Sequence, residues 1–272
     1  MTLGNRSSRD AGVSMLDPKN RPMNALARRL DAHTPLDEDA VSAILTLPHR
    51  VQKLRAGEYF LREGERPINS TVVVDGYVFR HKFVQDGGRQ IVALHIPGDF
   101  VDLQNILLNR ADHNIQALTA ATICEFPHPQ MLALAFRHPA IGKALWRESL
   151  VEASLFREWI ANLGRRDARA RVAHLLCELA VRREAAGLGQ REHFELPLTQ
   201  EQLGDALALT AVHVNRTLRV LETDGLIRRS KRAITVGDWR LLRAAADFNE
   251  NYLHIQAPSE PIEMGGKVAR RA

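Results

Sequence analysis

Cysteine is nearly missing from this chain: its 272 residues carry two, Cys124 and Cys177. They stand far apart and outside any Cys-x-x-Cys spacing, so within one chain they build neither a disulfide framework nor a cysteine-held zinc or iron–sulfur site, and both are expected in the core. Long apolar runs are missing too. No stretch could span a bilayer, and Met1–Asn20 lacks the apolar centre of a signal peptide, so no membrane partner is expected and the cytoplasm is the expected compartment. No His-x-His pair with a following Glu occurs at metal-ligand spacing. His81, His95, His113 and His128 therefore read as structural side chains, with no metal and no catalytic group expected. The alternative they leave open is a metal-dependent, cupin-type enzyme with an accessory C-terminal domain.

What the chain does have is a basic excess, and it is local. The net charge is +5 and the isoelectric point about 9.5. Between Arg165 and Arg243 stand fifteen Lys or Arg against ten Asp or Glu, so this third of the sequence carries the whole excess and a polyanionic partner is implied for it. The length suffices for two compact domains and a connector.

Leu198–Ile227 is the most informative stretch. Thr199 followed by Gln202 is a capping box and starts a helix, with Leu198 able to staple it. Leu203, Ala206 and Leu207 give that helix one apolar face. Gly204 lets a second helix cross closely, and Ala208-Leu209 makes the turn. A second helix starts at the N-cap residue Thr210, and Val214, Leu218 and Leu221 form its buried stripe. Its free face carries Ala211, Val212, His213, Asn215, Arg216 and Arg219, which suit a major groove: arginine can donate two bonds to a guanine edge, asparagine can pair with adenine, and small apolar groups meet a thymine methyl. After Gly225 two β-prone runs flank a basic tip at Arg229, Lys231 and Arg232, a hairpin wing. From Thr210 to Val236 six cations stand against two acids, as a phosphate track requires. The candidate DNA contacts are thus Thr199, Thr210, Ala211, Val212, His213, Asn215, Arg216, Arg219, Arg229, Lys231 and Arg232, with helix 210–221 as the reader.

Upstream, short β-prone runs with glycine turns fill residues 50–127 and predict an antiparallel, jelly-roll-like β-roll, a size of barrel able to hold one small ligand. Asp86-Gly87-Gly88 reads as a hairpin turn. Met23–Leu30 and Asp37–Leu45 read as short helices before it. Pro139 opens a long helix to Leu163, where Leu145, Ser149, Glu152, Phe156, Trp159 and Leu163 follow heptad steps and predict a homodimer seam. Gly164-Arg165-Arg166-Asp167 reads as a break and hinge, Arg171–Arg183 as a further helix, and Trp239–Phe248 as the last. The expected plan is α+β: a tail over 1–22, a β-roll with N-terminal helices over 23–137, a dimerisation helix over 138–164, a winged helix-turn-helix over 165–250 and a basic disordered tail over 251–272.

This order resembles the Crp/Fnr family of bacterial transcription regulators over about Leu45 to Phe248. The stretches that carry the likeness are Leu54–Glu65, Ile96-Pro-Gly-Asp-Phe100, Leu198–Gly204 and Val212-His-Val-Asn-Arg-Thr-Leu218. The resemblance implies a dimeric transcription regulator whose partners are double-stranded DNA, a second copy of itself and RNA polymerase. It departs from the cyclic-AMP-binding members, which place a Glu after the central Gly-Asp-Phe and an Arg-Ser pair further on. Val101-Asp-Leu-Gln104 and Asp112-His-Asn-Ile115 stand there instead, so cyclic AMP is not expected as the ligand. Too few cysteines remain for the family's iron–sulfur cluster, and no cofactor is identified. Ala211 and Val212 replace an Arg-Glu pair that other members use on G·C edges, while the following Arg is kept as Arg216, so a different half-site is implied.

Overall fold

The computed structural model describes residues 21–255; of the tails expected over 1–22 and 251–272, residues 1–20 and 256–272 lie outside the described residues. Helix α1 (Arg21–His33) already begins within the first expected tail, and α2 (Glu38–Leu45) follows, capped by Asp37, whose carboxylate accepts the Ala40 amide at 2.7 Å.

Seven strands build the roll: β1 (Arg50–Leu54), β2 (Tyr59–Leu61), β3 (Asn69–Asp75), β4 (Val78–Phe83), β5 (Arg89–His95), β6 (Asn114–Ala117) and β7 (Ala121–Pro127). All pair antiparallel, in two sheets ordered β1-β7-β3 and β2-β6-β4-β5. Gly87 takes φ 84° in the β4–β5 turn, a conformation without steric cost only for glycine. Leu61, Val73, Val78, Val101, Ile115 and Ile123 fill the space between the sheets. A turn from His95 to Asn114, containing the 3-10 helix Leu103–Ile106, crosses this core.

Helix α3 (His128–Arg137) escaped the sequence reading because Pro129 and a run without clear period hide it; it leads into α4 (Pro139–Arg165). Gly164 does not break α4. It sits in the last turn with open space around it, and the break falls at Arg166, extended at ψ 146°, followed by Asp167 as N-cap of α5 (Ala168–Ala185).

The C-terminal domain then adds β8 (His193–Glu195), α6 (Gln200–Leu207), α7 (Ala211–Thr223), β9 (Ile227–Ser230), β10 (Ala233–Val236) and α8 (Trp239–Ala245). Strand β8 joins the hairpin, giving a three-stranded wing sheet ordered β8-β10-β9. The second expected tail also starts late: Glu250–Leu253 is a 3-10 helix with Leu253 buried.

Two apolar cores explain how the pieces are held. One joins α1, α2, α3 and the start of α4 to the outer face of the β1-β7-β3 sheet through Leu26, Leu30, Phe126, Met131 and Ile141. The other is continuous across the domain boundary: Phe79, Ile91, Leu94 and Ile96, on the outer face of β4 and β5, share it with the residues of α5, α6 and α7. A solvated outer face would read polar; this one is apolar because the reader domain covers it.

Candidate nucleic-acid interface

The capping box forms as read. The Thr199 hydroxyl accepts the Gln202 amide at 3.2 Å and the Gln202 side chain accepts the Thr199 amide at 2.9 Å. Gly204 is buried under the turn, where a Cβ would run into the Leu209 carbonyl oxygen, so only glycine lets α7 follow α6 so closely. Ala208 closes the turn in the left-handed region at φ 54°. Thr210 caps α7 by accepting the His213 amide at 3.2 Å. Both threonine hydroxyls thus hold helix ends, and both residues are exposed.

In α7, Val214, Leu218 and Leu221 are buried as expected, and Thr217 is buried with them. The opposite face is turned outward: Ala211, Val212, Arg216 and Arg219 are exposed, Val212 by 81%, and His213 and Asn215 are half-buried at its edges.

The wing places Arg228, Lys231 and Arg232 in solvent beside α7. Lys231 holds φ 55° at the hairpin tip, strained backbone for a non-glycine residue. Arg229 differs from the expectation. Its guanidinium pairs with Glu222 of α7 at 2.6 Å and its amide donates to the same carboxylate at 3.2 Å, which keeps the Glu222 carboxyl below the ordinary range. Arg229 braces the wing on the helix through this pair, with Glu222 next to the last residue of α7.

Most of the residues expected to form a dimer seam are turned into their own chain. Leu145 and Trp159 are buried within their own chain, Leu145 against the roll helices and Trp159 in the core shared with α5. Glu152 pairs with Arg80 at 2.9 Å, Phe156 and Leu163 are half-buried, and Ser149 is exposed. The apolar residues of α4 left bare are Trp146, Leu150 and Ile160. With Ala153 and Arg157 they repeat the same steps of four and three, so the period in the sequence fits two faces about 100° apart and only packing chooses between them.

The chain matches the Crp-like helix-turn-helix domain over residues 170–245 and the cyclic nucleotide-binding domain over residues 51–138. It is 34% identical over 208 residues to the transcriptional activator protein FnrL of Cereibacter sphaeroides, covering 74% of this chain and 82% of that protein. It is 29% identical to the nitrogen fixation regulation protein FixK of Bradyrhizobium diazoefficiens, over 79% of this chain and 90% of that one. Among solved structures, FixK2 from Bradyrhizobium japonicum superposes with a TM-score of 0.67 at 26% identity, over 73% of this chain and 98% of that one. A β-roll joined by a long helix to a winged reader defines a two-domain DNA-binding transcription regulator. The chain belongs to the Crp/Fnr family.

Arg80 is a buried cation of the roll. Its guanidinium is engaged by Glu152 and by the Val101 carbonyl oxygen, while its Nε–H has no partner. In the turn nearby, buried Asp102 accepts the Thr71 amide at 2.6 Å, and Asp112 sits at its end against His113. The thiols do not fit an iron–sulfur cluster, since Cys124 lies on β7 and Cys177 on α5 and burial pushes both up to about 12. Among the described residues no three His, Cys, Asp or Glu side chains gather as metal ligands, and no helix is long and apolar enough to cross a membrane. His81 packs edge-on against Tyr59 and Phe83 and at a tilt against Phe79, and is driven down to about 4 by burial, as a structural imidazole is.

Proposed function

We propose that two copies of this chain, joined along the bare α4 face at Trp146, Leu150 and Ile160, read a two-fold symmetric DNA site with paired α7 helices, and that bound protein presents itself to RNA polymerase. The observation that carries the reading is the outward face of α7, with Ala211, Val212, Arg216 and Arg219 exposed beside Arg228, Lys231 and Arg232 of the wing. Two such helices related by a two-fold axis reach half-sites one helical turn apart, about 34–36 Å. Arg216 takes a guanine edge, and Ala211 with Val212 favours thymine methyls nearby. Thr199 and Thr210 contribute exposed helix starts, suited to phosphate oxygens. Any effector acting through the roll is of a chemistry other than cyclic AMP, and it shifts the protein only insofar as it binds two dimer arrangements with different affinity.

Selection of bound duplexes from a random pool, followed by competition against non-specific DNA, tests the reading. An inverted repeat should emerge, and its advantage over random duplex should persist as salt rises, because base contacts depend on salt far less than phosphate contacts. Loss of that advantage by physiological salt would sink it.

A further inference from the structure

The chain does not end with the winged domain: after α8 it turns back and runs under the joint between α4 and α5. Phe248 and Leu253 are buried there in the core shared by both domains. Tyr252 stacks on His174 of α5 at 5.7 Å between ring centroids, and Phe248 meets both rings edge-on. The Tyr252 hydroxyl donates to Glu178 at 2.9 Å.

Glu178 is 1% exposed, and donors from three parts of the joint converge on it. Trp159 Nε1 of α4 donates to its two oxygens at 3.2 and 3.0 Å, and Arg182 of α5 at 3.2 Å. One buried carboxylate thus ties together the dimer helix, the first helix of the reader domain and the C-terminal turn. Arg182 continues outward to Asp99 of the roll at 2.7 Å, and a second link runs from Arg166 to Glu158 at 2.8 Å and to Asp247 at 3.2 Å. A buried carboxylate needs its donors, so the arrangement that supplies all three is strongly preferred over any that leaves one lone pair bare. Beside it lies a cavity of about 80 Å³, between β5, α4 and α5 and walled on one side by Leu253 and Ile255. Close packing is incomplete there, and the directional bonds to Glu178 cross the joint beside it.

We propose that the turn Glu250–Leu253 is a strap that fixes the angle between α4 and the reader domain, with Tyr252 and Glu178 as the positioning pair, and that it thereby sets which half-site spacing the dimer accepts. The inference rests on the paired-half-site reading above. Neither residue touches DNA; both act by holding α7 at a defined separation from its partner.

The test uses full-length protein and its Tyr252→Phe variant, which keeps the ring and removes the hydroxyl. Affinity is measured by fluorescence anisotropy on the selected inverted repeat, on the same repeat with one base pair inserted or deleted, and on a single half-site. The variant should bind the native spacing about tenfold more weakly, as expected for losing a hydrogen bond to a charged group, with half-site affinity unchanged and discrimination between spacings reduced. Trp159→Phe, removing the donor on α4, should reproduce the pattern. If both variants discriminate spacings as the parent does, or if half-site binding falls in parallel with the repeat, the strap sets no angle and the inference is overturned. If instead the parent itself prefers no spacing, the paired-half-site reading fails first.

Discussion

At the scale of single residues, the reader face divides into groups that should fail in distinguishable ways. Arg216 is exposed on the first turns of α7, where a base edge would lie. Arg216→Ala should cost about 1–3 kcal/mol of DNA binding and relax discrimination at one base pair, read by titrating operator variants. Lys231 sits at the wing tip, and Lys231→Ala should weaken every sequence alike and lower the salt slope by about one. Asp102 gives a stability prediction of a different kind. Burial lifts its carboxyl from 3.8 to about 7 against the opposing pull of the Thr71 bonds and the Arg80 charge. The folded chain therefore keeps this proton up to about pH 7 while the unfolded chain releases it near 4, so stability falls as pH rises through that window and is flat above it. Asp102→Asn, which keeps an acceptor for the Thr71 amide, removes the slope. Relative to this variant the parent should lose on the order of 3–4 kcal/mol between pH 4 and pH 7 in denaturant melts, and parallel curves would contradict the assignment.

At the scale of elements, α6 and α7 form a unit whose closeness depends on one missing side chain. Gly204→Ala would drive a Cβ into the Leu209 carbonyl oxygen, a backbone atom that cannot step aside alone. The variant should be destabilised by roughly 1–3 kcal/mol and lose specific binding more than its thermal melt suggests, because α7 must rotate on α6. The wing is attached by a second device, the Glu222–Arg229 pair, so its position follows α7. Helix α4 shows how little an element's own sequence can say about orientation: Leu145 and Trp159 face inward although their spacing is that of an interhelical seam, and Trp146, Leu150 and Ile160 are left bare.

At the scale of the molecule, the roll and the reader domain share one core instead of meeting as separate bodies. Arg89 of β5 reaches Asp205 of α6 at 2.6 Å, the Gln90 side chain donates to the Ala206 carbonyl at 3.3 Å, and the apolar outer face of β4 and β5 closes over both. Arg89→Ala should leave the global melt within about 1 kcal/mol, since the pair is partly exposed, yet raise hydrogen exchange in α6 and β5 together. The dimer belongs to this scale as well. Trp146→Asp with Ile160→Asp should shift sedimentation to the monomer and abolish the preference for an inverted repeat over a half-site, whereas Leu145→Asp should unfold the roll helices instead.

By itself the sequence determined most local structure and the reader. Capping residues, glycine turns and apolar periods are local signals, and they gave the antiparallel roll over 50–127, the starts of α6 and α7 and the buried stripe Val214, Leu218 and Leu221. Strand β8 was not legible, since three residues carry no period and only pairing to β10 makes them a strand. The rest was decided by tertiary structure, because it depends on what comes to lie opposite. Two faces of α4 fit the same heptad, and burial against the roll and α5 selected one. Arg229 reads as a phosphate contact until Glu222 is beside it. Tyr252, in a stretch with no pattern of its own, acquires a role only where folding brings it within hydrogen-bond reach of a carboxylate 74 positions away.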